Sequence, residues 1–201
     1  MPASADRPAS GLRVLLVDDG GTHLPLLREE LARLGNTVIG VVDAPVELAA
    51  AVGSSQPDII IISAESPQRD TLEHIAVMSQ AQPRPIVMFT DDPDRERMQR
   101  AIRAGVSSYV VAGLTAERLQ PVLNVAIARF EADAEVRAEL AQARSELAQR
   151  KRVERAKGIL MRIRGIDEKT AYEQMRRLAM DRKLKLIEVA NRIIDADDLM
   201  S

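Results

Sequence analysis

Five short apolar runs recur along the first part of the chain: Arg13–Val17 (RVLLV), Thr37–Val42 (TVIGVV), Asp58–Ile62 (DIIII), Ile86–Phe89 (IVMF) and Ser108–Val111 (SYVV). Helical stretches separate them, at 24–34, 45–52, from Asp70 onward and at 94–104. The third run has no polar interruption, the pattern of a parallel strand covered on both faces. Strands and helices that alternate in this way predict an α/β fold, a five-stranded doubly wound parallel sheet. Local punctuation agrees: Pro25 suits a first helical turn, Gly35 a helix C-terminus, and Asp70 with Glu73 a capping pair. In such sheets the working site lies at the carboxyl ends of the strands. That rule gathers Asp18, Asp19, Ser63, Thr90 and Ala112 around one crevice.

After the fifth run the periodicity becomes purely helical. Thr115 caps a helix, Pro121 should kink it or reset its start, and the pattern then continues from Val122 through Ile163. A helix of that length spans roughly 60 Å at about 1.5 Å per residue. Val136, Leu140, Ala143 and Leu147 have the 3-4-3 spacing of a short coiled coil. They fit either the stem of a parallel homodimer or a helix packed back on its own domain. A fresh stripe follows at Val153, Ala156, Leu160 and Ile163. Gly165 ends that helix and Asp167 caps the next, whose inner face is read as Tyr172, Met175, Leu178 and Ala179. Leu186, Val189, Ala190, Ile193 and Ile194 line a third helix. The expected organisation is a disordered leader at 1–11, a sheet domain at 12–128, a coiled-coil linker at 129–149 and a three-helix module at 150–201.

Charge separates the two ends. Residues 150–192 hold 14 Lys/Arg against 6 Asp/Glu, while the whole chain has a net charge of −2. An acidic front and a basic back point to two modules, the second facing a polyanion. Cysteine is absent, which excludes disulfides, thiolate metal sites and thiol nucleophiles. His23 and His74 have no ligand-like spacing and read as ordinary surface or helix residues. No apolar run reaches membrane-spanning length and the first ten residues are polar, so a cytoplasmic protein without membrane contact is expected. Gly20-Gly21 follows two acids and belongs to no phosphate-binding glycine motif. No nucleophile–base pair or metal cluster stands out, so an enzyme is not expected.

The order of elements, VDD after the first strand, Thr90 after the fourth, and Pro67 four residues beyond Ser63 resemble a response-regulator receiver domain over roughly residues 12–128. The resemblance implies that Asp18 and Asp19 match the Mg²⁺-binding acids, Thr90 the hydroxyl that contacts a phosphoryl group, and Tyr109 the switch aromatic. Two positions depart from the pattern. Ser63 replaces the phosphoacceptor aspartate, and Ala112 replaces the lysine that neutralises the phosphoryl charge. A serine hydroxyl without an adjacent base is a poor nucleophile, and a phosphoryl group here would lack a cation. Phosphotransfer is therefore expected to fail, and Glu65 is the one stand-in acceptor to weigh. No cofactor is expected beyond weak Mg²⁺ at Asp18 and Asp19, against which stands a simple solvated acidic loop.

In the basic module, RKRVERAKGILMRIRG (150–165) interleaves its apolar stripe with Arg150, Lys151, Arg152, Arg155, Lys157, Arg162 and Arg164. Arg176, Arg177, Arg182, Lys183 and Lys185 follow. Gly158 sits mid-helix, where it costs about 1 kcal/mol against alanine, so a close approach by a neighbouring helix or a ligand backbone is implied. Aromatic residues are 2% of the chain, which argues against a stacking-platform RNA binder. ERAKGILM and RGIDEKTAYEQMRRLAMDRKLKLIEVANRII resemble the ANTAR domain, the RNA-binding output module of AmiR/NasT-type antitermination regulators. SPQRDTLEHI, PRPIVMFTDD, AGVSSYVV and QPVLNVAIARF are similar to the nitrate/nitrite-responsive NasT-like branch.

The ANTAR resemblance implies a dimer that binds tandem hairpins of a leader transcript and keeps a terminator from forming. Its expected RNA contacts are Arg150, Lys151, Arg152, Arg155, Lys157, Gly158, Arg164, Arg176 and Arg177, with Tyr172 read as core. An intact output module behind a stripped phosphorylation site implies switching by a ligand-sensing partner protein, nitrate-sensor-like. The competing classes are a DNA-binding response regulator with a degenerate receiver and an adaptor whose basic module binds protein.

Overall fold

A computed structural model of the chain describes residues 11–20, 22–43, 45–111 and 115–200. Most of the expected leader, and Ala112, lie outside the described residues. The elements in chain order are β1 (Arg13–Asp19), α1 (Leu24–Arg33), β2 (Thr37–Val42), a single 3-10 turn (Pro45–Glu47), α2 (Leu48–Ser55), β3 (Ile59–Ala64), α3 (Arg69–Ala81), β4 (Ile86–Thr90), α4 (Arg95–Ala104) and β5 (Ser108–Val111). Then come α5 (Ala116–Arg164), α6 (Glu168–Asp181) and α7 (Leu186–Met200). The strands form one parallel sheet in the order β2-β1-β3-β4-β5.

The apolar run of β3 has the physical role its composition implies. Ile60 and Ile62 pack into a core with Leu48, Val52, Leu72, Ile75 and Met78, under α2 and α3. Ile59 and Ile61 face the opposite core, with Leu27, Leu31, Leu119, Leu123 and Ala126 of α1 and α5. Both faces are dry, so neither can carry the polar half of an alternating strand.

Several local expectations change. The strand reaches Ala64, so Ser63 lies inside β3, paired in register with Asp18 and Phe89. The second helix is a 3-10 turn followed by an α-helix ending at Ser55. At α3 the N-cap is Gln68, with no side-chain cap, because the helix starts one residue before Asp70; Glu73 bonds Arg69 instead, at 2.7 Å. Pro121 neither stops nor restarts α5, which begins at Ala116 and passes through it. Gly165 (φ 63°) does follow the end of α5, and the Asp167 carboxylate accepts from the Thr170 amide at 2.7 Å to cap α6.

The chain divides into two compact units, one ending at Ala134 and the other beginning at Glu135. The second has its own core: Ala156, Ile159, Met175, Ala179, Val189, Ala190 and Ile194. Three residues expected in it are not there. Ile163 is 55% exposed, Tyr172 42% and Leu178 40%. The buried face of α6 is Ala171, Met175 and Ala179, a narrow stripe of small residues around one methionine that leaves Tyr172 outside. Val136, Leu140, Ala143 and Leu147 are all exposed.

Candidate nucleic-acid interface

The carboxyl ends of the strands bring Asp18, Asp19, Ser63 and Thr90 to adjacent register positions, Asp18 opposite Ser63 and Ala64 beside both Asp19 and Thr90. Each side chain is turned to an internal task or left without one. Asp19 Oδ2 accepts from the Thr71 hydroxyl at 2.8 Å. The Thr90 hydroxyl, fully buried, donates to the Glu65 carbonyl at 2.9 Å and accepts from the Asp92 amide at 3.2 Å. Asp18 Oδ1 and Ser63 Oγ are buried with no protein hydrogen-bond partner. Tyr109 donates to the Asp92 carbonyl at 3.3 Å, and burial pushes its phenol up. Arg97 binds both Ser66 and Asp92, and Ser66 donates to Asp92 at 2.7 Å. The Ser66 hydroxyl, then the Asp94 amide, and then Arg97 hold Asp92 below the usual carboxylate range. These contacts tie the loop after β3 to the loop after β4.

This arrangement does not suit phosphoryl chemistry. The one proton of the Thr90 hydroxyl goes to Glu65 O, and Ser63 has no base within hydrogen-bonding distance. The Glu65 side chain is exposed. The donor set for Mg²⁺ is also short. Ser63 contributes no carboxylate, and an oxygen of Asp19 is occupied by Thr71. Among the described residues no group of three or more His, Asp or Glu could hold a metal ion. The acid pair of the resemblance thus does not fit the cation, and no step depends on one.

The helical unit holds the basic residues, in three different conditions. Some are paired within the unit. Arg155 meets Asp198 at 2.5 Å, Arg162 meets Asp197 at 2.6 Å, and Arg152 donates to the Asn191 amide oxygen at 2.8 Å. Arg164 donates to Gln174 at 2.6 Å, and Arg177 lies 4.0 Å from Asp181. Lys157 is in a second condition: only 7% exposed, it reaches Glu154 at 2.8 Å and Glu168 at 2.7 Å. Those two hydrogen bonds, Glu154 first, push its ammonium up despite burial. It fastens α5 to the first turn of α6, whose cap residue Asp167 is held low by its bonds to Thr170. The third group is free. Among the described residues Arg150, Lys151, Lys169, Arg176, Arg182, Lys183 and Lys185 make no ion pair.

Tyr172, outside the core, lines a surface cleft with Lys157, Asp167, Glu168 and Lys169. Gly158 is exposed, and a Cβ built on it would meet nothing within 4 Å.

Comparison with known proteins fits this division. Residues 14–124, more than half of the chain, match the response regulator receiver domain, and residues 141–194 match the ANTAR domain. The transcriptional regulatory protein PdtaR of Mycobacterium tuberculosis is 30% identical over 183 residues, covering 91% of this chain and 89% of PdtaR. The chain belongs to the AmiR/NasT-type antitermination regulators. These are receiver-plus-ANTAR proteins, and the architecture is that of an RNA-binding antiterminator. A second relative, the nitrate regulatory protein of Klebsiella oxytoca, is 34% identical over 56 residues, 28% of this chain and 14% of that protein. Among solved structures, the signal receiver domain of a modulated diguanylate cyclase from Desulfovibrio desulfuricans G20 superposes with a TM-score of 0.52 at 28% identity, covering 61% of this chain and 98% of that one. No helix among the described residues is long and apolar enough to cross a membrane.

For this AmiR/NasT-type chain, reading the sequence located the cations but not their partners. A charge count ending at Arg192 leaves out Asp195, Asp197 and Asp198, which lower the net charge of the module from +8 to +5. Two of these three are the partners of Arg155 and Arg162. Helical spacing alone could have placed the three aspartates on the last turns of α7; it could not have told which helix faced them.

Proposed function

We propose that the helical unit binds hairpins in a leader transcript as a transcription antiterminator, and that the receiver-like unit is governed by a ligand-sensing partner rather than by phosphorylation. The observation that carries the RNA reading is the ANTAR match at 141–194 on a unit whose Lys151, Arg176, Arg182, Lys183 and Lys185 are left without carboxylate partners. Unpaired cations gain most from phosphate, because each contact releases condensed counterions. Arg150, Arg152, Arg155, Lys157, Arg164 and Arg177 contribute under this reading too, the paired ones by exchanging a carboxylate for a phosphate. Lys157, nearly covered, acts by positioning α6.

Partner switching rests on the crevice. A hydroxyl and a guanidinium bind the loops around it, and no acceptor carboxylate stands at Ser63. Dimerisation through Val136, Leu140, Ala143 and Leu147 would cover an apolar stripe that is exposed on the single chain. Control of nitrate or nitrite assimilation genes is supported by the short likeness to the Klebsiella regulator. The domain limits proposed are 12–128, 129–149 and 150–201.

The test is a salt titration of the purified chain against a transcript carrying two tandem hairpins, a scrambled hairpin and duplex DNA. Tight binding to the two-hairpin RNA alone, with a steep salt slope, is expected. Preference for duplex DNA would turn the reading to a DNA-binding regulator, and equal weak binding to all three would turn it to a protein adaptor.

A further inference from the structure

A cleft of about 300 Å³ opens on the helical unit, lined by residues of α5, α6 and α7. Leu160, Met175, Leu178 and Ile193 make much of its wall apolar, and Arg164, Gln174, Arg177 and Asp181 complete it. Gln174, Leu178 and Asp181 stand four and three residues apart, so one face of α6 supplies a side of the cleft. Leu178 is exposed there, while Met175 is almost fully buried. A lone surface leucine needs no explanation, but one that walls a cleft is apolar area that a ligand would cover.

The polar groups say which ligand. Arg164 donates to the Gln174 amide oxygen at 2.6 Å, which steadies its guanidinium. Arg177 lies 4.0 Å from Asp181 and both are largely in water, so that carboxylate is open to a closer donor. A partner helix with an apolar ridge would leave these four groups facing nothing. A nucleobase suits them: its faces are apolar, its edge carries N–H donors, and its phosphate is anionic. Unstacked bases rest on aromatic rings or on guanidinium planes. None of the residues lining this cleft is aromatic, so its aliphatic side chains, the Met175 thioether and the two guanidiniums form the platform.

Resting on the RNA-binding reading above, we propose that this cleft takes one unpaired base from a hairpin loop. The face of the base lies on Leu178 and Met175, its edge donates to Asp181, and Arg164 or Arg177 meets the adjoining phosphate. Contacts to phosphate position a nucleic acid, whereas contacts to a base read it. The cations of the unit thus supply affinity, and this cleft supplies sequence selection.

The test uses the full chain and the two-hairpin RNA, with each loop nucleotide in turn made abasic in both hairpins. The parent should lose about tenfold to a hundredfold in affinity at one loop position, as removal of a stacked base does, and much less at the others. Leu178→Ala should bind the intact RNA about tenfold more weakly and should no longer distinguish the abasic RNA from it. Asp181→Asn turns an acceptor-only group into one that also donates, so it should change which base is preferred at that position. Both side chains are exposed, and circular dichroism should show the helical unit folded in each variant. Lys183→Ala is the contrast: an unpaired cation outside the cleft, it should weaken every RNA alike and keep the abasic penalty. If no loop position stands out, or if the penalty survives Leu178→Ala, the proposal is overturned and the RNA reading stands. If the parent does not bind hairpin RNA, that reading falls and the proposal falls with it.

Discussion

The crevice of the receiver-like unit and the outer face of α5 both pair arginine with aspartate, and they do so to opposite effect. Around the crevice, Arg97 and Asp92 share Ser66, and the Asp92 side chain is only 13% exposed. On the helical unit, Arg155 and Asp198 are 56% and 55% exposed. The first contact lies within a network of hydroxyl, amide and carbonyl bonds that holds two loops. The second is shared with water and is easily exchanged, since exposed pairs contribute about 0–1 kcal/mol. The crevice pair is built into structure, while the Arg155–Asp198 pair is loosely held; Arg162–Asp197, whose carboxylate is 14% exposed, lies between the two. The same residue pair therefore carries no functional meaning until its solvation is known.

The largest effect that would sharpen the contrast concerns the independence of the two units. Met175 is almost fully buried among Ala156, Ile159, Val189, Ala190 and Ile194. Met175→Ala should destabilise the helical unit by about 3 kcal/mol, a large part of the total for so small a unit. Urea unfolding followed by amide signals of each unit should show the loss only after Glu135, with the sheet unit unmoved. Equal losses in both would mean that α5 couples them into one cooperative body and would remove the basis for treating them apart.

A smaller effect tests whether the crevice contacts are structural. Arg97→Ala should cost the sheet unit about 1 kcal/mol after allowance for solvent around the guanidinium, and leave RNA affinity unchanged. The acid limb gives a finer reading. Asp92 is held low in the folded state, so its contribution is present above the unfolded carboxylate range, near pH 4, and is lost as pH falls through the folded value. Because the Ser66 hydroxyl is the leading cause, Ser66→Ala should flatten the stability profile below about pH 4 more than Arg97→Ala does. The reverse order would assign the network to charge rather than to hydrogen bonding.

The sheet was legible in the sequence because its signals are local and redundant. The all-isoleucine run of β3 needs two covered faces, and Gly35 and Pro25 mark the ends of α1 without knowledge of anything else. The crevice was legible in part. Register brings Asp18 beside Ser63 as the strand ends imply, but the bond from Thr71 to Asp19 depends on how α3 packs, which no spacing reveals. The helical unit was the least legible. Tyr172 has core spacing and still stands outside, because Ala171 and Ala179 bring the helices together on a narrower stripe than an aromatic needs. Lys157 stands in the basic run, but its pairing with two glutamates, one of them on the next helix, could not be read from spacing.

The smallest effect bears most directly on the comparison. Asp198→Asn keeps the shape of the side chain and removes the charge that faces Arg155. Stability should change by no more than about 0.5 kcal/mol, since both partners are half in water. Affinity for the two-hairpin RNA should rise by about twofold at low salt, because a phosphate then meets an arginine with no carboxylate to displace. The dependence of log K on log salt should steepen by less than about one unit, and the gain should vanish as salt screens it. Asp92→Asn in the crevice provides the counterpart: a larger loss of stability, with no gain in RNA affinity. If the Asp198 variant lost stability as Asp92→Asn does, or if the crevice variant strengthened RNA binding, the difference in solvation would not be what separates structural charge from available charge in this chain.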